Sequence, residues 1–93
     1  MPYIIKSKRE VLDGPISQIV DALRQLESDF GDDNNFEGNF NYIISSIIAK
    51  SYNISYRSIN DVQGVLKCVG DEYKRKVVDP YEAQKEFENG SVY

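Results

Sequence analysis

Apolar residues recur along this chain at three- and four-residue intervals in three blocks, and that spacing predicts helices. Residues 1–12 begin differently. Pro2 and the run Tyr3-Ile4-Ile5 favour an extended arm or edge strand, and Lys6, Lys8 and Arg9 follow as a small basic cluster. The first helix is expected to open at Asp13 or Gly14, with Pro15 at the first helical position, where its missing N–H does no harm. Ile16, Ile19, Val20, Leu23 and Leu26 then form its apolar stripe. Asp21, Arg24, Gln25 and Ser28 take the other face.

Residues 29–39 read as a polar loop. A second helix is predicted over 40–50, capped by Asn39 or Asn41, with Phe40, Ile43, Ile44, Ile47 and Ile48 as its buried ridge. The isoleucines favour strand, but their i, i+3, i+4, i+7, i+8 order decides for helix. After a linker over 51–57, Ser58 and Asp61 form a weak relative of the capping box. Ile59, Val62, Val65, Leu66, Val69, Tyr73 and Val77 follow on one side of a third helix. Gly64 and Gly70 each cost a helix interior about 1 kcal/mol relative to alanine. Gly64 stands one turn from Cys68, which suggests a narrow face where another helix approaches.

At Val78-Asp79-Pro80 the pattern must bend or restart, because proline removes a backbone donor and crowds the preceding turn. Asp79 as cap, Pro80 at the first position and Glu82 bonding back would make a complete helix start. Asn89-Gly90 supplies the stop. The expected fold is therefore all-α: a small bundle of three main helices, the third kinked or split at Pro80, with an extended N-terminal arm. Residues 1–93 are read as a single helical domain.

Composition narrows the function. The chain has 93 residues with 41% hydrophobic and 28% charged, an ordinary globular balance. At this length a monomer buries only about 60–65% of its unfolded surface. Seven tyrosines and four phenylalanines supply apolar surface with polar handles, so a homo-oligomer is expected. A net charge of −4 argues against general nucleic-acid binding. One cysteine excludes an internal disulfide framework and suits the cytoplasm. No run approaches the roughly 20 apolar residues that cross a bilayer, and the N-terminal run is too short for a secretory segment.

The candidate chemistry is sparse. Histidine is absent, which removes the commonest general base, the Ser-His and Cys-His pairs and ordinary zinc sites. Asp33-x-Asn35-x-Glu37-Gly38 looks like the opening of a calcium loop, but Ile44 stands where the bidentate glutamate belongs. The reading is a polar loop leading into an asparagine-capped helix. No glycine-rich phosphate loop is present. No metal, cofactor or catalytic residue is expected, and the chain is read as a non-enzyme. Arginine forks beside tyrosine faces are what a small anionic, base-containing ligand would use, which makes Tyr56, Arg57, Tyr73, Arg75 and Tyr81 candidate ligand-binding residues. On a helix Lys74, Arg75 and Lys76 point three ways, and a solvated face is the plainer reading of them. Tyr3, Val92 and Tyr93 are candidate interface residues.

Five stretches together resemble an uncharacterised family of small proteins from bacteriophages and bacterial mobile elements. They are Met1-Pro2-Tyr3-Ile4, Gly38 to Ile44, Tyr56 to Val62, Gly64 to Cys68, and the closing Asn89-Gly90-Ser91-Val92-Tyr93. The family usually ends Asn-Gly-Asp-Val-Tyr, so Ser91 departs from it. The resemblance implies a helical domain from a phage-like genome and assigns no activity. The expected function is a non-enzymatic accessory protein that inhibits host defence, by sequestering a nucleotide-type signal or binding a host protein. The alternative is a protein–protein interaction or assembly module with no small-molecule ligand.

Overall fold

The computed structural model describes residues 3–93. The expected extended course of Met1 and Pro2 lies outside the described residues. The fold is all-α, with no strand among the described residues. The chain divides into two compact units, Tyr3–Asn53 and Ile54–Tyr93 once Met1 and Pro2 are set aside.

In the first unit, helix α1 spans Lys6–Phe30 and carries Pro15 in its interior. The expected start at Asp13 is therefore corrected, and the extended arm shrinks to Tyr3–Ile5. The stripe explains the early start. Leu12 lies one turn before Ile16, so Leu12, Ile16, Ile19, Leu23, Leu26 and Phe30 form one continuous row. Pro15 leaves the Val11 carbonyl without its helical donor, at an exposed place where water can serve it. Ile5 is extended, with φ −64° and ψ 154°, and its carbonyl accepts from the Lys8 and Arg9 N–H groups. Arg9 Nε donates to the Ile4 carbonyl at 2.8 Å. This member of the basic cluster ties down the arm.

Gly31 ends α1 at φ 55°, its N–H donating to the Glu27 carbonyl. A short 3₁₀ turn, Gly31–Asp33, leads to helix α2, Phe36–Ser51. The cap is Asn35, whose Oδ1 accepts from the Gly38 N–H at 2.9 Å. Asn39 and Asn41, the expected caps, lie inside α2. The earlier start brings Phe36 and Phe40 one turn apart, with ring centroids 6.0 Å from each other. A Cβ at Gly38 would meet Asn35 Nδ2 at 2.8 Å, so a larger residue there would push the capping side chain aside. Helices α1 and α2 pack together. Leu23 is the one buried hydrophobic residue among those described, and Ile19, Leu26, Ile43, Ile44 and Ile48 are half-buried. Phe40 and Ile47 of the expected ridge stay exposed. One neighbouring helix covers only part of so broad an apolar face.

In the second unit, helix α3 spans Tyr56–Tyr73 and opens on Ser55, one turn before the expected Ser58. Ser55 Oγ accepts from the Ser58 N–H at 3.1 Å, and Ser58 Oγ accepts from the Ser55 N–H at 3.0 Å. That is a capping box in which a second serine replaces the usual glutamate, which works because a hydroxyl also accepts. A Cβ built at Gly64 or Gly70 meets nothing within 4 Å.

A π-helical turn, Lys74–Val78, joins α3 to helix α4, Asp79–Asn89. The Asp79 N–H donates to the Lys74 carbonyl five residues back. Asp79 is itself helical, at φ −62° and ψ −46°. The predicted restart, with Asp79 as cap and Pro80 at the first position, is therefore replaced by one unbroken helix over 56–89. Widening the turn before Pro80 moves the preceding carbonyls away from its ring, and that carries the proline without a break.

The same turn keeps the stripe in phase. A π turn inserts one residue. Tyr81 therefore falls about 20° from Tyr73 around the axis, where an uninterrupted α-helix would rotate it about 80° away. The apolar row Ile59, Val62, Leu66, Val69, Tyr73, Val77 and Tyr81 runs straight past the proline. The expected stop holds: Gly90 adopts φ 90°, and its N–H donates to the Glu86 carbonyl at 2.8 Å.

Candidate functional site

The five candidate ligand residues all lie on the helix over 56–89, in two groups. Tyr56 and Arg57 occupy its first turn. Tyr56 is 90% exposed, and Arg57 Nε approaches Asp61 at 4.0 Å. Tyr73 and Tyr81 bracket the π turn and Arg75 lies within it. At 1.5 Å per residue the groups stand about 25 Å apart, too far for one small ligand to touch both. The structure thus puts Tyr73 and Tyr81 on one face, turns Arg75 to the other side with Glu72, and leaves Tyr56 and Arg57 remote.

Around the π turn Lys74 and Arg75 each have an acid beside them. Arg75 Nη2 reaches both Glu72 carboxylate oxygens, at 2.8 and 3.0 Å. Lys74 Nζ donates to Asp79 Oδ1 at 2.8 Å, spanning the same residue pair as the backbone bond between them. That contact is the role Asp79 takes in place of capping. It holds the Lys74 ammonium above the ordinary lysine pKa, first through the hydrogen bond and then through the charge of Asp79. Lys67 is raised in the same way by Asp71, at 2.8 Å. Both lysines stay charged at neutral pH. The two lysine pairs are exposed, so each contributes little to stability.

Tyr81 has a neighbour that the sequence reading passed over. Lys85 Nζ sits 5.6 Å from the Tyr81 ring centroid, within cation–π range. The i, i+4 spacing of Tyr81 and Lys85 was the signal for it. Val92 and Tyr93, past the Gly90 stop, border a shallow depression with Glu82, Lys85, Glu86, Gly90 and Ser91. Two carboxylates against one ammonium make this a poor seat for an anion. Tyr3, the other candidate interface residue, precedes α1 and is about half exposed.

The calcium-like segment is committed to folding: Asp33 closes the 3₁₀ turn, Asn35 caps α2, and Glu37 and Gly38 lie within it. Among the described residues no group of three or more acidic or cysteine side chains is placed to hold a metal ion. No helix of the described residues is long and apolar enough to cross a membrane.

What remains is a small all-α protein whose distinctive surface is a helix with paired charges and an open apolar row. The chain belongs to the family described as a domain of unknown function, DUF6899, whose model matches residues 1–92. No curated protein and no solved structure matched the chain.

Proposed function

We propose that this chain is a non-enzymatic binding protein whose working surface is the apolar row of the helix over 56–89, and that it serves as a protein-interaction and assembly module. One observation carries the reading. Ile59, Val65, Leu66, Val69, Tyr73, Val77 and Tyr81 share one face, and each is 45–62% exposed. A contiguous apolar row of this length, edged by charges, is what a helix presents to another helix or to a groove. The bacteriophage and mobile-element resemblance gives the setting: an accessory protein in a bacterial cytoplasm, acting on host defence by engaging a host protein. The test is to cross-link the full chain in host lysate and alone, beside a Val69→Ser/Val77→Ser variant of equal helicity. A stoichiometric complex that the variant loses supports the reading. A chain that forms no complex under either condition overturns it.

Sequestration of a nucleotide-type signal is the second reading, favoured by Lys85 beside the Tyr81 ring with Tyr73 on the same face. The ammonium already seated on the Tyr81 ring is the kind of cation–aromatic pair that a base and phosphate would engage. Calorimetry with cyclic nucleotides and ADP-ribose-like molecules tests it, and absent heat across the panel sinks it.

A further inference from the structure

We infer that the partner of this helix face is a second copy of the same helix, running antiparallel and centred on Val77. The inference rests on the apolar row being the binding surface and adds which molecule covers it.

Symmetry of the row is the first argument. Tyr73 and Tyr81 lie four residues either side of Val77, and the π turn keeps all three on one line. In an antiparallel pair centred there, Val77 meets its own copy and Tyr73 of one chain lies over Tyr81 of the other. Such contacts are isologous, so the pair closes on itself.

Charge is the second argument. Stepping about 100° per residue, with one residue inserted at the π turn, places Lys67, Lys74, Asp79, Glu82 and Glu86 along one flank of the row. That flank is net basic before Val77, where Asp71 partly offsets Lys67 and Lys74, and acidic after it. Antiparallel copies set Lys67 against the partner's Glu86, and Lys74 against the partner's Asp79 and Glu82. Parallel copies set this flank against the opposite one, so the polarity of the flank is not used there. The existing pairs, Lys67 with Asp71 and Lys74 with Asp79, are exposed and are shared or exchanged at small cost.

Area is the third argument. The pair overlaps over 65–89. The exposed parts of Val65, Leu66, Val69, Tyr73, Val77 and Tyr81 present roughly 600 Å² per copy, so two copies bury at most about 1,200 Å² from these residues, the low end for specific interfaces. A reversible dimer is expected rather than a permanent one.

The test uses the full chain in sedimentation velocity over a concentration series at low salt, with helicity checked by circular dichroism. The parent should dimerise. Glu82→Lys/Glu86→Lys and Lys67→Glu/Lys74→Glu should each weaken self-association by about tenfold or more, and mixing the two variants should restore a heterodimer. In a Cys68→Ser background, Val77→Cys should form an intermolecular disulfide and Val69→Cys should not, because antiparallel copies separate the two Val69 positions by about 24 Å. A parent that stays monomeric, charge variants that pair like the parent, or equal cross-linking at both positions overturns the inference. A monomer whose lysate complex still depends on Val69 and Val77 overturns self-pairing alone. A chain that engages neither itself nor a partner overturns the binding-face reading as well.

Discussion

Replacing Pro80 with alanine separates what the π turn does for the helix from what it does for the surface. Proline costs about 3 kcal/mol more than alanine inside a helix, and the widened turn has already relieved part of that. Pro80→Ala should therefore stabilise the helix over 56–89 by about 1–3 kcal/mol, seen as higher helicity and a raised unfolding midpoint. With the N–H restored, the Lys74–Val78 segment is free to return to α geometry. Losing the inserted residue's turn rotates Tyr81 from about 20° to about 80° off Tyr73. Tyr81 then leaves the row, and self-association should weaken while stability rises. Circular dichroism with thermal unfolding reads the first effect and sedimentation the second. A Pro80→Ala chain that is less helical and less stable would refute the attribution of the π turn to proline. A chain more stable and equally associated would refute the role given to the phase of the row.

Three further outcomes follow from local geometry. Ser55→Ala removes one arm of the capping box and should cost about 1 kcal/mol, with hydrogen exchange speeding up first in the opening turn of α3; unchanged protection there would count against the box. Gly38→Ala pushes a methyl into the Asn35 side chain, so it should cost about as much as Asn35→Ala, and the double variant should cost little more than either alone; additive losses would show that the two act separately. Lys74 titrates above free lysine because its ammonium is hydrogen-bonded to Asp79. A raised folded pKa means its contribution is fully present below the unfolded lysine value and is lost as pH rises through the folded one. By NMR, Asp79→Asn should lower the Lys74 titration, and an unmoved Lys74 would show that the ion pair does not persist in solution.

The fold class was legible in the sequence because the apolar spacing in all three blocks is helical, and Gly90 could be named as a stop from its own chemistry. The starts were harder to read. Asn35 and Ser55 cap their helices, yet Asn39, Asn41 and Ser58 offer the same chemistry one turn later, and the contest is decided by side chains such as Phe36 and the second serine. The two prolines misled for one reason. Each looked like a helix beginning, but apolar rows continue on both sides of Pro15 and Pro80, and keeping those rows intact outweighs one lost hydrogen bond. The candidate site followed suit. Tyr73 and Tyr81 came onto one face because the helix did not break, Arg75 turned to the other side, and Tyr56 and Arg57 belong to the far end of the same rod. The Lys74–Asp79 contact was out of reach of any α-helical reading, since five residues apart is a neighbouring position only in a π turn.

The apolar row begins at Ile59, well before the stretch that an antiparallel partner centred on Val77 can cover. Each copy in such a pair therefore carries an overhang over 56–64, with Ile59 exposed, Val62 half-buried and Tyr56 at its tip. The two overhangs lie at opposite ends of the pair, related by its two-fold axis, so each pair has a valence of two for whatever binds there. If that occupant is another part of the same chain, the assembly grows by whole dimers and its subunit counts are even: four or six, never three.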